Sequence, residues 1–256
     1  MYVEAAGVRL LIDAGLSPAE TSRRLMRIAG KPKLSTIDAL LITHEHSDHA
    51  QAAARLAEAG LAVHATAAVA AALGVPGREF VAGQPFHVGS VKVHPVPIPH
   101  DAASTVGFVV EAEGVRLGVL TDLGEVTAEV RLAYQGCDVL VLETNHDERM
   151  LHTGPYPPFL KRRVASRLGH LSNEQAAELV RTMSMAPRCL LLAHLSLVNN
   201  RPHLARAACA SAVGRRRVEV LATTQHRVSP VVSATPASLD VAAARAGEQM
   251  ELFASP

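Results

Sequence analysis

Tryptophan is absent, and five Phe with three Tyr make up only 3% of the chain. Few side chains are therefore available for nucleobases to stack on, and any contact with a polyanion is expected to run through charge. Cysteine is scarce too. Cys137, Cys189 and Cys209 are odd in number, far apart and never in a CxxC spacing, which excludes a disulfide framework or a thiolate zinc cluster and leaves them as small core residues. Neither charge is in surplus: a net charge of +1 excludes the global basic excess of a histone-like binder and leaves only local patches open. No uninterrupted apolar run reaches the roughly 18 residues of a membrane helix; the longest candidate, 61–75, is Ala-rich and carries His64 and Thr66. The opening MYVEAAGVRLLIDAG has no basic segment followed by an apolar stretch and a small-residue cleavage site, so a soluble, cytoplasmic protein with no membrane partner is expected.

What the chain does have is 48% hydrophobic and 19% charged positions over 256 residues, enough for a folded core, and 13 histidines. Apolar runs of strand length at 8–12, 39–43, 91–96, 108–111, 117–121, 139–142, 190–193 and 218–221 alternate with helical patterns at 50–59, 127–135, 173–185 and 202–210. An α/β protein follows. The pair of runs flanking Glu113-Gly114 has hairpin chemistry, so part of the sheet is antiparallel. The third helix opens on a Ser172-Asn-Glu-Gln175 capping box. Residues 146–169 are rich in Pro and Arg and predict a functional loop more than a packing element. Beyond about Pro230 the chain turns to Ala, Ser and Pro, so the expected organisation is a catalytic domain over 1–229 and a mobile C-terminal tail over 230–256.

The strongest chemical signal is His44-Glu-His46-Ser-Asp48-His49 at the end of the 39–43 strand. On a turn, side chains at i and i+2 converge on one ion while Asp48 and His49 face another, a pattern suited to a two-metal site. The competing reading is a polar cap to the helix beginning near Ala50. A dinuclear site needs further ligands at strand ends on the same edge, and three candidates occur: His100 in PIPHDA, Asp122 in LTDLG and His194 in LLAHLS. Singly, each also reads as a satisfied core or turn residue.

Together with Asp13 in LLIDAG, these residues resemble the metallo-β-lactamase superfamily across nearly the whole chain. The resemblance implies a four-layer αββα sandwich, two mixed sheets with helices outside. It implies His44, His46 and His100 on a first metal, Asp48, His49 and His194 on a second, Asp122 bridging both, and Asp13 as a buried acid supporting the motif. Four further motifs, LETNHD from Leu142, YPPFLKRR from Tyr156, GHLSNEQA from Gly169 and LAHLSLVNN from Leu192, are similar to those of the WalJ/YycJ-type branch. Members of that branch are regarded as 5'-to-3' DNA exonucleases. The HLS at His170 is also similar to the histidine loop that tRNA 3'-processing ribonucleases place beside the scissile phosphate. Members of the branch open with a Gly-Ser-rich strand ahead of the segment that here begins Tyr2-Val3-Glu4, and this sequence shows none; it also has no room for a large nucleic-acid clamp.

The function so implied is a metal-dependent phosphodiesterase, a DNA exonuclease in replication-linked repair, with hydroxide between two zinc or manganese ions attacking phosphorus in line. Asp48 and Asp122 are its catalytic carboxylates. His170, or alternatively His146, is the candidate general acid for the leaving 3'-oxygen; His170 also reads as a residue beside a helix cap, and His146 as a support for other ligands. Lys161, Arg162, Arg163 and Arg167, with Ser172, are candidates to bind the DNA backbone, the basic run having a solvated helix face as its alternative. Gln249, Leu252 and Phe253 resemble the short peptide by which bacterial repair proteins dock on the sliding clamp, or else pack back on the domain. Two other functions remain open: a small-molecule hydrolase, as a cyclic phosphodiesterase or glyoxalase-like thioesterase, and a non-catalytic, metal-stabilised DNA or clamp-binding module.

Overall fold

A computed structural model describes residues 1–242; Gln249, Leu252 and Phe253 lie outside the described residues. The first sheet holds β1 (Tyr2–Ala5), β2 (Val8–Ile12), β3 (Ala39–Leu41), β4 (Val63–Ala65) and β5 (Arg78–Glu79), in that order. Its β1–β2 pair is antiparallel and the rest are parallel. The second sheet holds β6 (Phe86–Val88), β7 (Val91–Pro97), β8 (Val106–Ala112), β9 (Val115–Leu120), β10 (Val139–Glu143), β11 (Cys189–Ala193) and β12 (Glu219–Ala222), also side by side in chain order. It is antiparallel from β6 to β9 and parallel from β9 to β12. The helices are α1 (Pro18–Leu25), α2 (Ser47–Ala50), α3 (Ala53–Glu58), α4 (Ala67–Leu73), α5 (Ala128–Ala133), α6 (Glu148–Thr153), α7 (Pro158–Val164), α8 (Asn173–Thr182) and α9 (Pro202–Val213).

Side-chain alternation builds the layers. Along β2 and β3, Leu10, Ile12, Ala39 and Leu41 point between the sheets, where they meet Val91, Val93, Phe108, Val110, Val119 and Val141 of the second sheet. Their neighbours Leu11, Leu40 and Ile42 point outward onto Leu25, Ala53, Leu56 and Val69 of the first helical layer. On the other side, Leu120, Leu140, Leu142, Leu190 and Leu192 meet Val130, Leu179, Val180, Ala205 and Cys209. Strands that bury both faces read as continuous apolar runs, and each fully buried Leu or Val contributes about 1.5–3 kcal/mol. The expected four-layer sandwich is thereby formed. Among the described residues no helix is long and apolar enough to cross a membrane.

Several local expectations need correction. The single helix expected over 50–59 is broken into α2 and α3. The turn after β2 docks at the break: Ala14 N donates to His49 O at 2.6 Å, and Ala52 N donates to Ala14 O at 2.9 Å. Only glycine fits this approach at position 15, because a Cβ there would stand 1.6 Å from Asp48 O. The loop expected over 146–169 holds α6 and α7; Pro158 begins α7 where its missing N–H has no intrahelical partner to lose. Part of the segment read as a tail forms a hairpin of β13 (Val231–Ala234) and β14 (Leu239–Ala242). Arg188 ties that hairpin down through Thr235 O at 2.7 Å and Ser238 O at 2.8 Å. The capping box of α8 forms as expected.

Candidate metal centre

Six strands end at one edge of the sandwich, and a chemically active residue follows or closes each. Asp13 follows β2, the His44–His49 turn follows β3, His100 follows β7, Asp122 follows β9, Glu143 closes β10 and His194 follows β11. Asp13, Asp122 and His194 take left-handed backbone conformations, with φ of 62°, 59° and 56°. This region is uncommon for non-glycine residues, and such strain, about 1–3 kcal/mol each, persists where surrounding structure over-determines it. Here it swings the chain off the strand so that the side chain crosses the sheet edge.

The geometry gathers all seven candidate ligands. His44, His46 and His100 each offer an atom within 4.8 Å of the others, as do Asp48, His49 and His194; Asp122 forms a third such group with His44 and His49. Its Oδ2 stands 3.0 Å from His49 Nε2, and its Oδ1 stands 3.5 Å from His194 Nε2 and 3.9 Å from His100 Nε2. Asp122 thus touches both halves of the cluster.

Two features test whether these residues suit cations. The far ring nitrogen of most histidines is already held: His49 Nδ1 by Asp13 at 2.7 Å, His194 Nδ1 by Glu143 at 2.8 Å, His100 Nδ1 by Gly169 O at 3.2 Å and His44 Nδ1 by Thr43 Oγ1 at 2.9 Å. That leaves Nε2 facing the cluster, the orientation ligating histidines take. Second, His44 Nε2 faces the cluster buried and without a hydrogen-bond partner, a costly arrangement unless something takes up its lone pair or proton. A donor set of only nitrogen and oxygen fits zinc or manganese. Asp13 itself is braced by Thr43, whose N donates at 2.9 Å and whose Oγ1 lies 3.0 Å from both carboxylate oxygens.

Protonation in the metal-free protein follows from the same contacts. Burial pulls His44 down to about 4, with Asp122 opposing it. Burial would lower His49 as well, but the Asp13 and Asp122 carboxylates outweigh it and raise that ring to about 10. His194 is raised well above its ordinary value against burial by Asp122, Asp48 and Glu143. His194 in turn holds the Asp48 carboxyl well below its usual range. A cation must then displace protons from His49 and His194, so metal affinity rises with pH and falls on acidification. Calorimetric titration of metal into the stripped protein, in buffers of different ionisation enthalpy at neutral pH, is expected to show net proton release. Uptake without release would refute this charge state.

Glu143 is the residue that sequence reasoning missed. It is fully buried; its Oε2 accepts from Leu123 N at 2.9 Å and Leu171 N at 3.2 Å, and its Oε1 lies 2.9 Å from His170 Nδ1 and 2.8 Å from His194 Nδ1. The available signal was a single carboxylate closing the otherwise apolar VLVLE strand. Burial raises the Glu143 carboxyl and its two histidine partners pull it down, with a net lowering; His170 is raised, Glu143 outweighing burial.

His170 stands between the half-sites, its ring centroid 5.3 Å from those of both His100 and His194. His146 is buried close to Glu143 and His170, and Ser172 is committed to the cap of α8, a correction to the expectation that Ser172 binds substrate. His146 is 2% exposed, outside the donor groups, and its backbone O accepts from Asn173 N at 2.8 Å. Ser172 is 1% exposed, its hydroxyl accepting from Gln175 N at 3.1 Å and donating to Glu148 at 3.0 Å. Of the basic run, Arg163 lines the cleft and pairs with Asp101 at 2.6 Å; Lys161, Arg162 and Arg167 are not among its lining residues, Arg167 pairing with Glu125 at 2.6 Å and Lys161 Nζ donating to His152 O at 2.7 Å.

The family model described as the beta-lactamase superfamily domain matches residues 8–195. Exodeoxyribonuclease YycJ of Bacillus anthracis is 32% identical over 216 residues, covering 80% of this chain and 81% of that protein. Exodeoxyribonuclease WalJ of Streptococcus pneumoniae serotype 2 is 33% identical over 216 residues, 80% of each. Among solved structures, zinc-bound PqqB of Methylobacterium extorquens superposes with a TM-score of 0.66 at 20% identity, over 86% of this chain and 84% of that one, a likeness of fold.

Proposed function

This chain belongs to the beta-lactamase superfamily, and from that footing we propose that it is a cytoplasmic, metal-dependent exonuclease degrading DNA from the 5' end in replication-linked repair. The observation that carries this reading is the convergence of seven His and Asp donors on one sheet edge, in a chain one-third identical to named exodeoxyribonucleases over four-fifths of its length. His44, His46 and His100 would hold one cation, Asp48, His49 and His194 a second, and Asp122 both; zinc and manganese suit the donors equally. Such a pair of ions lowers the pKa of water and neutralises charge building on phosphate.

The chain's own residues do the rest. Asp13 and Glu143 fix the rings of His49 and His194 in one tautomer and one orientation. His170, protonated through Glu143 and 22% exposed toward the cleft, gives its Nε2 proton to the leaving oxygen. Arg162 and Arg163 hold the strand by its phosphates, since an exposed pair such as Arg163–Asp101 contributes little and can be exchanged for a phosphate. A clamp-docking role for Gln249, Leu252 and Phe253 belongs to this reading and is tested by deleting residues 247–256, which should remove clamp binding and spare cleavage.

The test of function is incubation of metal-loaded protein with end-labelled duplex DNA, single-stranded DNA, RNA and a generic phosphodiester. Mononucleotide release from the 5' end of DNA is expected. Turnover of the small phosphodiester alone would favour a small-molecule hydrolase and overturn the nuclease. His170→Ala is expected to slow DNA cleavage by about 100-fold, within the usual range for a general acid, and to spare substrates whose leaving group needs no proton. An equal loss on both substrate types would remove the acid role.

A further inference from the structure

Among the described aromatic residues, Phe159 is the one that stands on the surface. Phe80, Phe108 and Tyr134 are buried, Tyr156 is half-buried, Phe86 stacks on Phe80 with centroids 5.0 Å apart, and Tyr2 bonds to Glu4 at 2.5 Å. Phe159, at the second position of α7, is 66% exposed. An exposed apolar side chain alone means little; the surroundings give this one its meaning. The same helix carries Lys161, Arg162 and Arg163, and Arg162 makes no hydrogen bond or ion pair with the described residues. Phe159 and Arg163 are four apart and so share a helix face. Tyr156, Leu160 and Arg163 line the cleft that holds His46, His100 and His170. Arg163 is fixed there through Asp101, the residue next to His100.

An exposed aromatic face and the unpaired Arg162 guanidinium, on a helix whose Leu160 and Arg163 line the cleft of metal-competent histidines, match one class of ligand better than others. Charge follows a phosphate backbone, and a ring adds stacking on a base. Bases inside a duplex present their faces to each other, so such a ring can act only on an unpaired nucleotide. We propose that Phe159 stacks on an unpaired nucleobase of the DNA strand entering the site past His100, making α7 a holder for single-stranded or frayed ends. This revises the expectation of contact through charge alone, and it rests on the nuclease reading above.

The test is anisotropy of the metal-loaded protein with a labelled, cleavage-resistant phosphorothioate single strand. Phe159→Ala is expected to weaken binding by about tenfold, as stacked aromatic side chains do when truncated. Phe159→Trp should bind at least as well as the parent, whereas Phe159→Leu, apolar but without a π face, should fall to the alanine level. On an abasic strand the parent should drop to that same level and the alanine variant should lose nothing further. The exposed position predicts unchanged thermal unfolding for all three variants. Parent-like binding by the alanine or leucine variant, with the parent cleaving DNA normally, would overturn the stacking and leave the nuclease standing. A parent protein that neither binds nor cleaves DNA would overturn both.

Discussion

Replacing Asp122 by alanine is expected to strip at least one cation from each chain and to lower DNA cleavage by about three orders of magnitude, the equivalent of roughly 4 kcal/mol of transition-state stabilisation. The carboxylate is 2% exposed and faces His49 with one oxygen and His100 and His194 with the other. No other side chain of the cluster approaches both halves as a negative charge in this way. Its removal leaves His49 and His194, both held in the protonated form partly by Asp122, with less to keep them in place. Asp122→Asn separates charge from shape, because asparagine tolerates the left-handed backbone at φ 59° while giving up the anion. Elemental analysis of the purified variants, alongside their turnover, decides the matter. An alanine variant that retains both cations and full activity would refute the bridging assignment and with it the two-metal reading.

Glu143→Ala is expected to be the most destabilising single change in the site, by about 3–5 kcal/mol, the usual cost of leaving the partners of a buried ionic group unpaired. Two backbone N–H groups and two histidine rings depend on this one carboxylate. Glu143→Gln keeps most of the volume and some of the hydrogen bonding, so it should fold. It should nonetheless lose about 10- to 100-fold in metal affinity or turnover, as changes to the partners of ligating histidines do. The pH signature has a definite sign. Glu143 has a carboxyl lowered in the folded state, so its contribution to metal-free stability is present above the ordinary carboxylate range and is lost as pH falls through its lowered value. The glutamine variant has no such term, and its stability should depend less on acidification. Chemical denaturation of the stripped proteins across pH, parent against Glu143→Gln, measures the difference; parallel curves would show that the charge of Glu143 carries no stability.

The parts of this protein that could be read from sequence are those whose physics is local. Three histidines and an aspartate within six residues need no partner to be recognised as donors, and a capping box is complete within four. Strands buried on both faces announce themselves as apolar runs. Asp122 and His194 are legible by a rule of the same kind, a polar residue directly after such a run, and His100 by the same rule three residues past the end of β7.

Short or exposed pieces were missed because their signals are weak. The turn of the β1–β2 hairpin uses Ala6-Gly7, both at positive φ, where Asn-Gly or Asp-Gly would have been conspicuous. The two-residue β5 is exposed throughout and shows no pattern at all.

Sequence alone therefore determined the class of fold, the strand ends that carry ligands and the nitrogen and oxygen chemistry of the site. Tertiary structure alone decided which polar groups are free to act. Ser172 spends its hydroxyl on Gln175 and Glu148, and Arg163 finds Asp101 across 62 positions of chain. Glu143 becomes the common support of His170 and His194 only because parallel pairing sets β10 beside β11. Donor capacity is a property of the side chain and is written in the sequence. Whether that capacity is already satisfied depends on neighbours brought close by folding, and sequence separation carries no record of them.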